Sequence, residues 1–305
     1  MEFRNLVTFL KVAELKNISK AAEKLGYSQS AVTIQIKQLE KELEVQLFER
    51  IGKGVSLTDK GKEFIFHANE ILRVTAVAME TTKHSHAHEP EQLTGILNIG
   101  SVESISTALL PDILIQFHKQ YPKVEIVVHT SKKDELINKI HDNTIDLFLT
   151  LEQKSLFPNL HRTLLSKEPI IFIAPIQNDY IKGNKIDLES ISKIPFVLTE
   201  KGESYRYELE RLVSQKDIKL HSQLEIGNTE TIVHLVEAGI GISYLPYFSA
   251  KNAIQKGTIM EVKNDFLSTE MWIQMFYHKN KWISPQLEAL ISVIENFFNE
   301  GSNSH

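Results

Sequence analysis

The amino-acid sequence predicts an α+β chain of several domains: an N-terminal winged helix-turn-helix, a long linker helix, and a C-terminal α/β body of two subdomains. Three observations carry this reading. Three short amphipathic helical patterns follow one another before Leu47, the second and third separated by a tight turn containing Gly26. From Thr58 to about His84 the chain has no Pro and no Gly beyond Gly61, so one long helix fits. From Gly95 onward short apolar runs alternate with helical patterns, the signature of α/β structure. A chain of 305 residues is also long for a single core.

Each element of the head can be justified locally. Phe3, Leu6, Val7, Leu10 and Ala13 have the spacing of one buried helical stripe. A second helix is predicted to start with Ser19 as its cap, to bury Ala21, Ala22 and Leu25, and to stop at Gly26, which suits a left-handed C-terminal position. Ser28 is predicted to cap a third helix with Val32, Ile36, Leu39 and Leu43 inward. Two strands around Gly52-Lys53-Gly54 make a hairpin wing, and Thr58 caps the long helix with Asp59 in its first turn.

The outward face of the third helix is Gln29, Ser30, Thr33, Ile34 and Lys37. Gln, Ser and Thr can hydrogen-bond base edges, Ile34 can pack on thymine methyl groups, and Lys37 can reach a phosphate. A plain solvated face is the alternative, but an exposed Ile gains nothing from water. Lys53 at the wing tip puts a cation where minor-groove phosphates would lie. Residues 1–66 hold 11 Lys and Arg against 9 Asp and Glu, a net of +2 within a chain of −5, which leaves −7 on the rest. A mildly basic head on an acidic body is compatible with a local contact to double-stranded DNA.

In the long helix Ile65, Leu72 and Met79 recur every seven residues. Pairing with the same helix of a second copy would cover that seam, and packing on the chain's own head is the alternative. His84, His86 and His88 follow, but alternate spacing puts only two of them on one helical face, and no metal or cofactor is expected.

In the body, strands are predicted at Ile96–Ile99, Val124–Val128, Ile145–Leu149, Ile170–Ala174, Pro195–Leu198, Leu220–Ile226, Ile242–Leu245 and Met271–Tyr277. Helices are predicted at Thr107–Gln120, Lys132–His141, after Ser204, at Thr229–Ala238 and from Ser284 to Phe298.

The stretch from Phe9 to Gly61 resembles the DNA-binding head of LysR-type transcriptional regulators. Ala21-Ala22, Leu25, Ser28-Gln29, Ala31-Val32, Ile36, Leu39-Glu40, Leu43, Leu47-Phe48, Arg50 and Leu57-Thr58 carry the likeness without a gap. Ser30 stands where that family usually has Pro, and Ile34 where it usually has a basic residue. The body resembles the family's effector domain, which has the fold of type 2 periplasmic solute-binding proteins. Leu110-Pro111, Tyr121-Pro122, Ile145-Asp146-Leu147 and the run from Glu237 through Gly241 to Pro246 carry that likeness.

The resemblance implies a regulator of promoter DNA that works as a homodimer or homotetramer, is controlled by a small-molecule effector, and meets RNA polymerase. It implies a DNA-binding domain over 1–60, a linker helix and hinge over 58–90, and an effector domain over 91–305. The last would comprise subdomain I (91–165 and 269–305) and subdomain II (166–268). In such a fold a ligand lies between the subdomains, against strand ends and helix starts. The residues so placed are Ser101, Glu103, Ser104, Thr130, Ser131, Thr150, Thr199, Lys201 and Ser204. Some of these, with Asn228, can equally be helix caps. Glu103 disfavours a plain anion.

Other functions find less support. With no Cys, thiol catalysis, disulfides and zinc–thiolate sites are excluded. No nucleophile elbow or phosphate loop occurs, so an enzyme is not expected. No export signal or bilayer-spanning run is read, so a cytoplasmic location without a membrane partner is expected. A transport-type binding protein would explain the body but not the head. A DNA-binding protein that answers only to a partner protein remains open at this point.

Overall fold

The computed structural model describes residues 2–51, 54–83, 92–179, 181, 185–267 and 269–302. The chain divides into two units, one of Met1–Glu89 with His141–Thr144 and Lys281–Ser284, the other of the remainder.

The N-terminal unit opens with α1 (Phe3–Leu15), α2 (Ile18–Leu25) and α3 (Gln29–Leu43). The cap of α2 is Asn17 rather than Ser19: the Asn17 side chain accepts from the Lys20 N–H at 3.0 Å, and the helix has already begun at Ile18. A carboxamide one residue before the first helical turn meets the free N–H groups better than a hydroxyl inside it. Gly26 ends α2 at φ +71°, and Ser28 accepts from the Ala31 N–H at 3.2 Å to start α3. The wing is β1 (Phe48–Ile51) paired antiparallel with β2 (Gly54–Leu57). Leu6, Phe9, Val12, Ala21, Ala22, Val32, Ile36 and Leu39 form one buried core, with Phe9 against the Phe48 and Phe64 rings at 5.3 Å each. Leu43 is only half-buried at its rim.

Thr58 accepts from the Gly61 N–H at 3.0 Å and starts α4 (Asp59–Lys83). Ile65 and Leu72 do not form a free seam on this helix. Both are half-buried and pack in part against the head core. The Met79 side chain, Lys53 and the His84, His86 and His88 cluster lie outside the described residues.

The second unit is α/β. Its first lobe contains β3 (Gly95–Ser101), α5 (Glu103–Ala108), α6 (Leu110–Gln120), β4 (Val124–Thr130), α7 (Lys133–His141) and β5 (Leu147–Glu152). β3 lies between β4 and β5 and is parallel to both. The helix expected over Thr107–Gln120 is two: α5 begins directly after β3, and Leu109 breaks the path with Pro111 in the first turn of α6. The second lobe contains β7 (Pro195–Leu198), α8 (Ser204–Ser214), β8 (His221–Glu225), α9 (Thr229–Glu237), β9 (Ser243–Pro246), α10 (Tyr247–Lys256) and β10 (Ile259–Val262). α10 and β10 were not among the expected elements.

Two long strands join the lobes. β6 (Leu160–Pro175) pairs with β11 (Thr269–His278) over most of its length, then with β9 and β10 at its far end. β11 pairs in turn with β5. α11 (Pro285–Ser302) packs back on α6 and β3. Stacked rings of Phe148 and Phe276, 5.1 Å apart, anchor the first lobe, and Phe172 against Tyr244 at 4.6 Å anchors the second.

Candidate functional site

In the N-terminal unit, the start of α3 carries Gln29, Ser30, Ile34 and Lys37 exposed, with Ile34 64% exposed. Thr33 is half-buried and donates its hydroxyl hydrogen to the Gln29 carbonyl at 2.9 Å, so that oxygen is engaged locally. The Ser28 and Ser30 hydroxyls lie 2.9 Å apart. The helix is fixed from behind: the buried Thr8 hydroxyl of α1 donates to the Gln35 side chain at 2.7 Å. Glu40, one turn before the helix end, accepts from the backbone N–H groups of Leu47 (2.8 Å) and Phe48 (3.1 Å). One carboxylate thereby positions the wing against the helix, satisfying two donors that the turn leaves free.

In the C-terminal unit, a cavity of about 190 Å³ opens between the lobes. The first lobe contributes Glu103, Thr130, Ser131 and Lys132; the second contributes Thr199, Glu200, Glu203, Tyr205 and Gly227. Thr199 is 4% exposed, with its hydroxyl beside the Tyr205 phenol. Lys132 and Glu200 pair across the mouth at 3.2 Å. The Glu200 carboxylate lies so close over Gly227 that a β-carbon there would stand 2.8 Å from its Oε1.

Glu103 spans the lobes. Its Oε1 accepts from the Thr107 hydroxyl (2.8 Å) within α5, and from Asn228 Nδ2 (3.0 Å) and the Thr229 N–H (3.1 Å) at the start of α9. Burial, and then the charge of Glu103, hold the Glu203 carboxyl above the usual carboxylate range; Lys132 pulls it back and Glu200 raises it further. Burial and the charges of Glu203 and Glu103 likewise keep the Tyr205 phenol well above its usual range. Negative charge is therefore crowded in this cavity.

Residues 3–62 match the bacterial regulatory helix-turn-helix protein, lysR family, and residues 90–299 match the LysR substrate binding domain. The chain belongs to the LysR family of transcriptional regulators. The regulator YwqM of Bacillus subtilis is 32% identical over 299 residues, spanning 98% of this chain and 100% of that protein. Among solved LysR-like folds, ArgP from Mycobacterium tuberculosis superposes with a TM-score of 0.78 at 17% identity, covering 96% of each chain. LysG from Corynebacterium glutamicum, solved with bound effector Arg, gives 0.73 at 14% identity, covering 98% of this chain and 99% of that one. This LysR-family chain is thus a DNA-binding transcription regulator with a substrate-binding domain, and its relatives are regulators rather than enzymes.

Of the effector-site residues read in this LysR-type sequence, Glu103, Thr130, Ser131 and Thr199 line the cavity, and five do not. Ser101 is fully buried at the end of β3 and donates to the Val102 carbonyl at 3.1 Å. Ser104 and Thr150, in α5 and β5, are 1% exposed, and their hydroxyls have no hydrogen-bond partner among the described residues. Ser204 opens α8, half-buried. Lys201 is exposed and lines a separate cavity of about 250 Å³ with Arg206, Glu210 and Glu225. Asn228 caps α9, accepting from the Thr231 N–H at 2.8 Å, while its amide group serves Glu103.

The lining also holds Lys132, Glu200, Glu203, Tyr205 and Gly227, with Arg206 behind it, and the sequence reading put none of these in the site. Lys132 and Glu203 sit beside expected residues but had no distinguishing neighbours in the chain. Arg206 is 3% exposed and donates to the Thr199 carbonyl, to Glu210 at 2.8 Å and to Glu225 at 2.9 Å. It fixes the loop that carries Thr199, and its helical partner Glu210, four residues on, was the one signal available. Among the described residues no group of three His, Asp or Glu side chains could hold a metal, and no helix is long and apolar enough to cross a membrane.

Proposed function

We propose that a small-molecule effector binds in the cavity between the lobes of residues 91–305 and thereby controls how the heads engage promoter DNA. In this reading residues 1–60 bind DNA, residues 58–90 link the units, subdomain I is 91–165 with 269–305, and subdomain II is 166–268. The observation that carries it is the cavity itself: both lobes line it, and β6 and β11 are the two strands between them. A ligand touching both lobes favours one relative orientation of the pair, and only a ligand with such differential affinity can shift a regulator's state. The β6–β11 ladder, with a register shift between Ile273 and Gln274, is the element that such a change would flex.

On the DNA side, Gln29, Ser30, Thr33 and Ile34 read base edges in the major groove, and Lys37 and Lys53 meet phosphates. The protein works in the cytoplasm as a homodimer or homotetramer and contacts RNA polymerase when it activates. Ile65 and Leu72 are only half-buried against the head core, so self-association through that seam would draw on the part of each that the head leaves uncovered.

Mapping the genomic sites bound by the full chain, then measuring affinity for one such site with and without candidate metabolites from the neighbouring genes, tests the proposal. A metabolite that changes site affinity or transcription in the wild type but not in Thr199→Phe supports it. Sequence-independent binding, or an unaltered response in Thr199→Phe, contradicts it.

A further inference from the structure

We infer that the cavity between the lobes takes a small organic cation, an amine or guanidinium, held by Glu103 and Glu203 against the wall that Thr199 forms. This rests on the reading that the cavity is the effector site, and adds the chemical class of the effector.

Charge is the first argument. Three carboxylates, Glu103, Glu200 and Glu203, face the cavity with Lys132 as the single cation among its lining residues. Lys132 is already paired with Glu200 at 3.2 Å. An incoming anion would meet uncompensated negative charge in a partly desolvated space, whereas a cation would relieve it.

Acceptor capacity is the second. Every hydrogen bond to the Glu103 side chain falls on Oε1, so Oε2 keeps its lone pairs for a donor. The Glu203 side chain has no hydrogen bond or ion pair among the described residues, although it is half-buried. Thr199, 4% exposed, lines the same space with its buried hydroxyl beside the Tyr205 phenol. An ammonium or guanidinium donates in several directions at once, so it can serve both carboxylates. Glu103 and Glu203 belong to opposite lobes, so one cation between them would bridge the cleft.

Size is the third. About 190 Å³ is below the roughly 300–1,000 Å³ of drug-sized sites. It suits a compact metabolite better than a nucleotide.

The test uses the full chain, read by thermal shift and titration calorimetry. The probes are methylguanidinium, n-propylamine and 1,4-diaminobutane, with succinate, propionate and glycerol as matched anions and a neutral polyol. At least one cation is expected to raise the melting temperature while the anions do not. Glu203→Gln, which keeps the shape of the side chain, is expected to weaken that cation by about tenfold or more, as loss of one charge-assisted hydrogen bond implies. Thr199→Phe is expected to abolish the shift.

If succinate or propionate stabilises the wild type, the cations do not, and Thr199→Phe removes the effect, the cavity reading stands and the charge assignment is overturned. If a cation binds equally well to wild type, Glu203→Gln and Thr199→Phe, the site lies elsewhere and both are overturned. If only glycerol binds, or no probe does, the assignment to a small cation is overturned.

Discussion

The Glu103 carboxylate accepts a hydrogen bond from the Thr229 backbone N–H at 3.1 Å across 126 residues of sequence, and so ties the start of α5 to the start of α9. With Asn228 Nδ2 on the same oxygen at 3.0 Å, this is a direct polar link between the two lobes. Glu103→Ala leaves two donors of the second lobe without their acceptor. It is expected to lower the stability of the C-terminal unit by about 1–3 kcal/mol. Glu103→Gln retains an oxygen that can accept from Thr229 and is expected to lose less. Thermal unfolding of the full chain checks the order wild type, Gln, Ala. Equal loss in both variants would mean that the negative charge, rather than the acceptor geometry, holds the lobes.

Glu168 gives the protein a pH dependence of opposite sign to that of an ordinary paired carboxylate. It is 8% exposed in β6 and accepts from the Phe248 N–H at 2.7 Å at the start of α10. Burial pushes its carboxyl up to about 7, against the lowering effects of the Phe248 and Tyr247 N–H groups and the charge of Lys251. The folded protein therefore holds this proton more tightly than the unfolded chain. Its contribution to stability is full below the ordinary carboxylate range and is lost as pH rises through about 7. Glu168→Gln keeps an acceptor for Phe248 and removes the titration. The variant is expected to match the wild type at acid pH below the ordinary carboxylate range and to exceed it at alkaline pH by roughly 2 kcal/mol. Unfolding curves of the two proteins over the pH range check this, and a difference that does not vary with pH would contradict it.

A cation bound beside Glu203 has its own pH signature. Burial and the neighbouring Glu103 and Glu200 charges raise the Glu203 carboxyl, while Lys132 lowers it. Glu203 is thus partly protonated at pH values where exposed carboxylates are ionised. Affinity for a permanently charged probe such as methylguanidinium is expected to climb as pH rises through the Glu203 titration, and to flatten in Glu203→Gln. Calorimetry at several pH values reads both slopes; parallel slopes would assign the dependence to another group.

The head was almost wholly readable from the sequence because its structure is local. The Gly26 turn, the Ser28 cap and the Val32, Ile36 and Leu39 stripe all depend on residues a few positions apart. The body was less readable where long-range pairing decides. Only Ile170–Ala174 of β6 shows a continuous apolar run; its first half, with Arg162, Ser166, Lys167 and Glu168, is polar enough to read as loop and is a strand because β11 pairs with it. α10 follows Pro246 with no side-chain cap and a mixed face, so its start carries no local signal. At the cavity, strand-end hydroxyls could be guessed from topology. The Asn228 and Thr229 partners of Glu103, more than a hundred residues away, could not; read alone, Glu103 spoke only against a plain anion and gave no sign of bridging the lobes.

Glu40 holds the wing by accepting from Leu47 and Phe48 N–H groups, so its removal is expected to act on DNA binding through the wing alone. Glu40→Ala leaves two part-buried donors unsatisfied at the α3–β1 turn. It is expected to cost the head about 2 kcal/mol or more of stability, since bonds to a charged acceptor are the stronger kind. Affinity for random DNA is expected to fall together with affinity for the specific site. Thermal unfolding and fluorescence anisotropy check the pair. Loss of specific binding alone would mean that Glu40 orients the reading face of α3 rather than the wing.

Base reading and phosphate contact are expected to separate between Gln29 and Lys53. Gln29 opens α3 on its exposed face, where a carboxamide can bond two groups on one adenine edge. Gln29→Ala is expected to weaken the specific site by about 1–3 kcal/mol and to leave random DNA almost untouched. Lys53, which falls between the two wing strands in the sequence, is proposed to meet phosphates by charge alone. Lys53→Ala is expected to weaken all sequences alike and to reduce the slope of log affinity against log salt by about one. Ile34→Arg adds a third arm. It places a cation on the same face, so it is expected to tighten random DNA and steepen the salt slope while lowering discrimination for the native site. Anisotropy titrations of the three variants over a salt series read both quantities. If Gln29→Ala loses specific and random binding equally, the exposed start of α3 is a phosphate-contacting surface, and the reading of sequence lies on another part of the head.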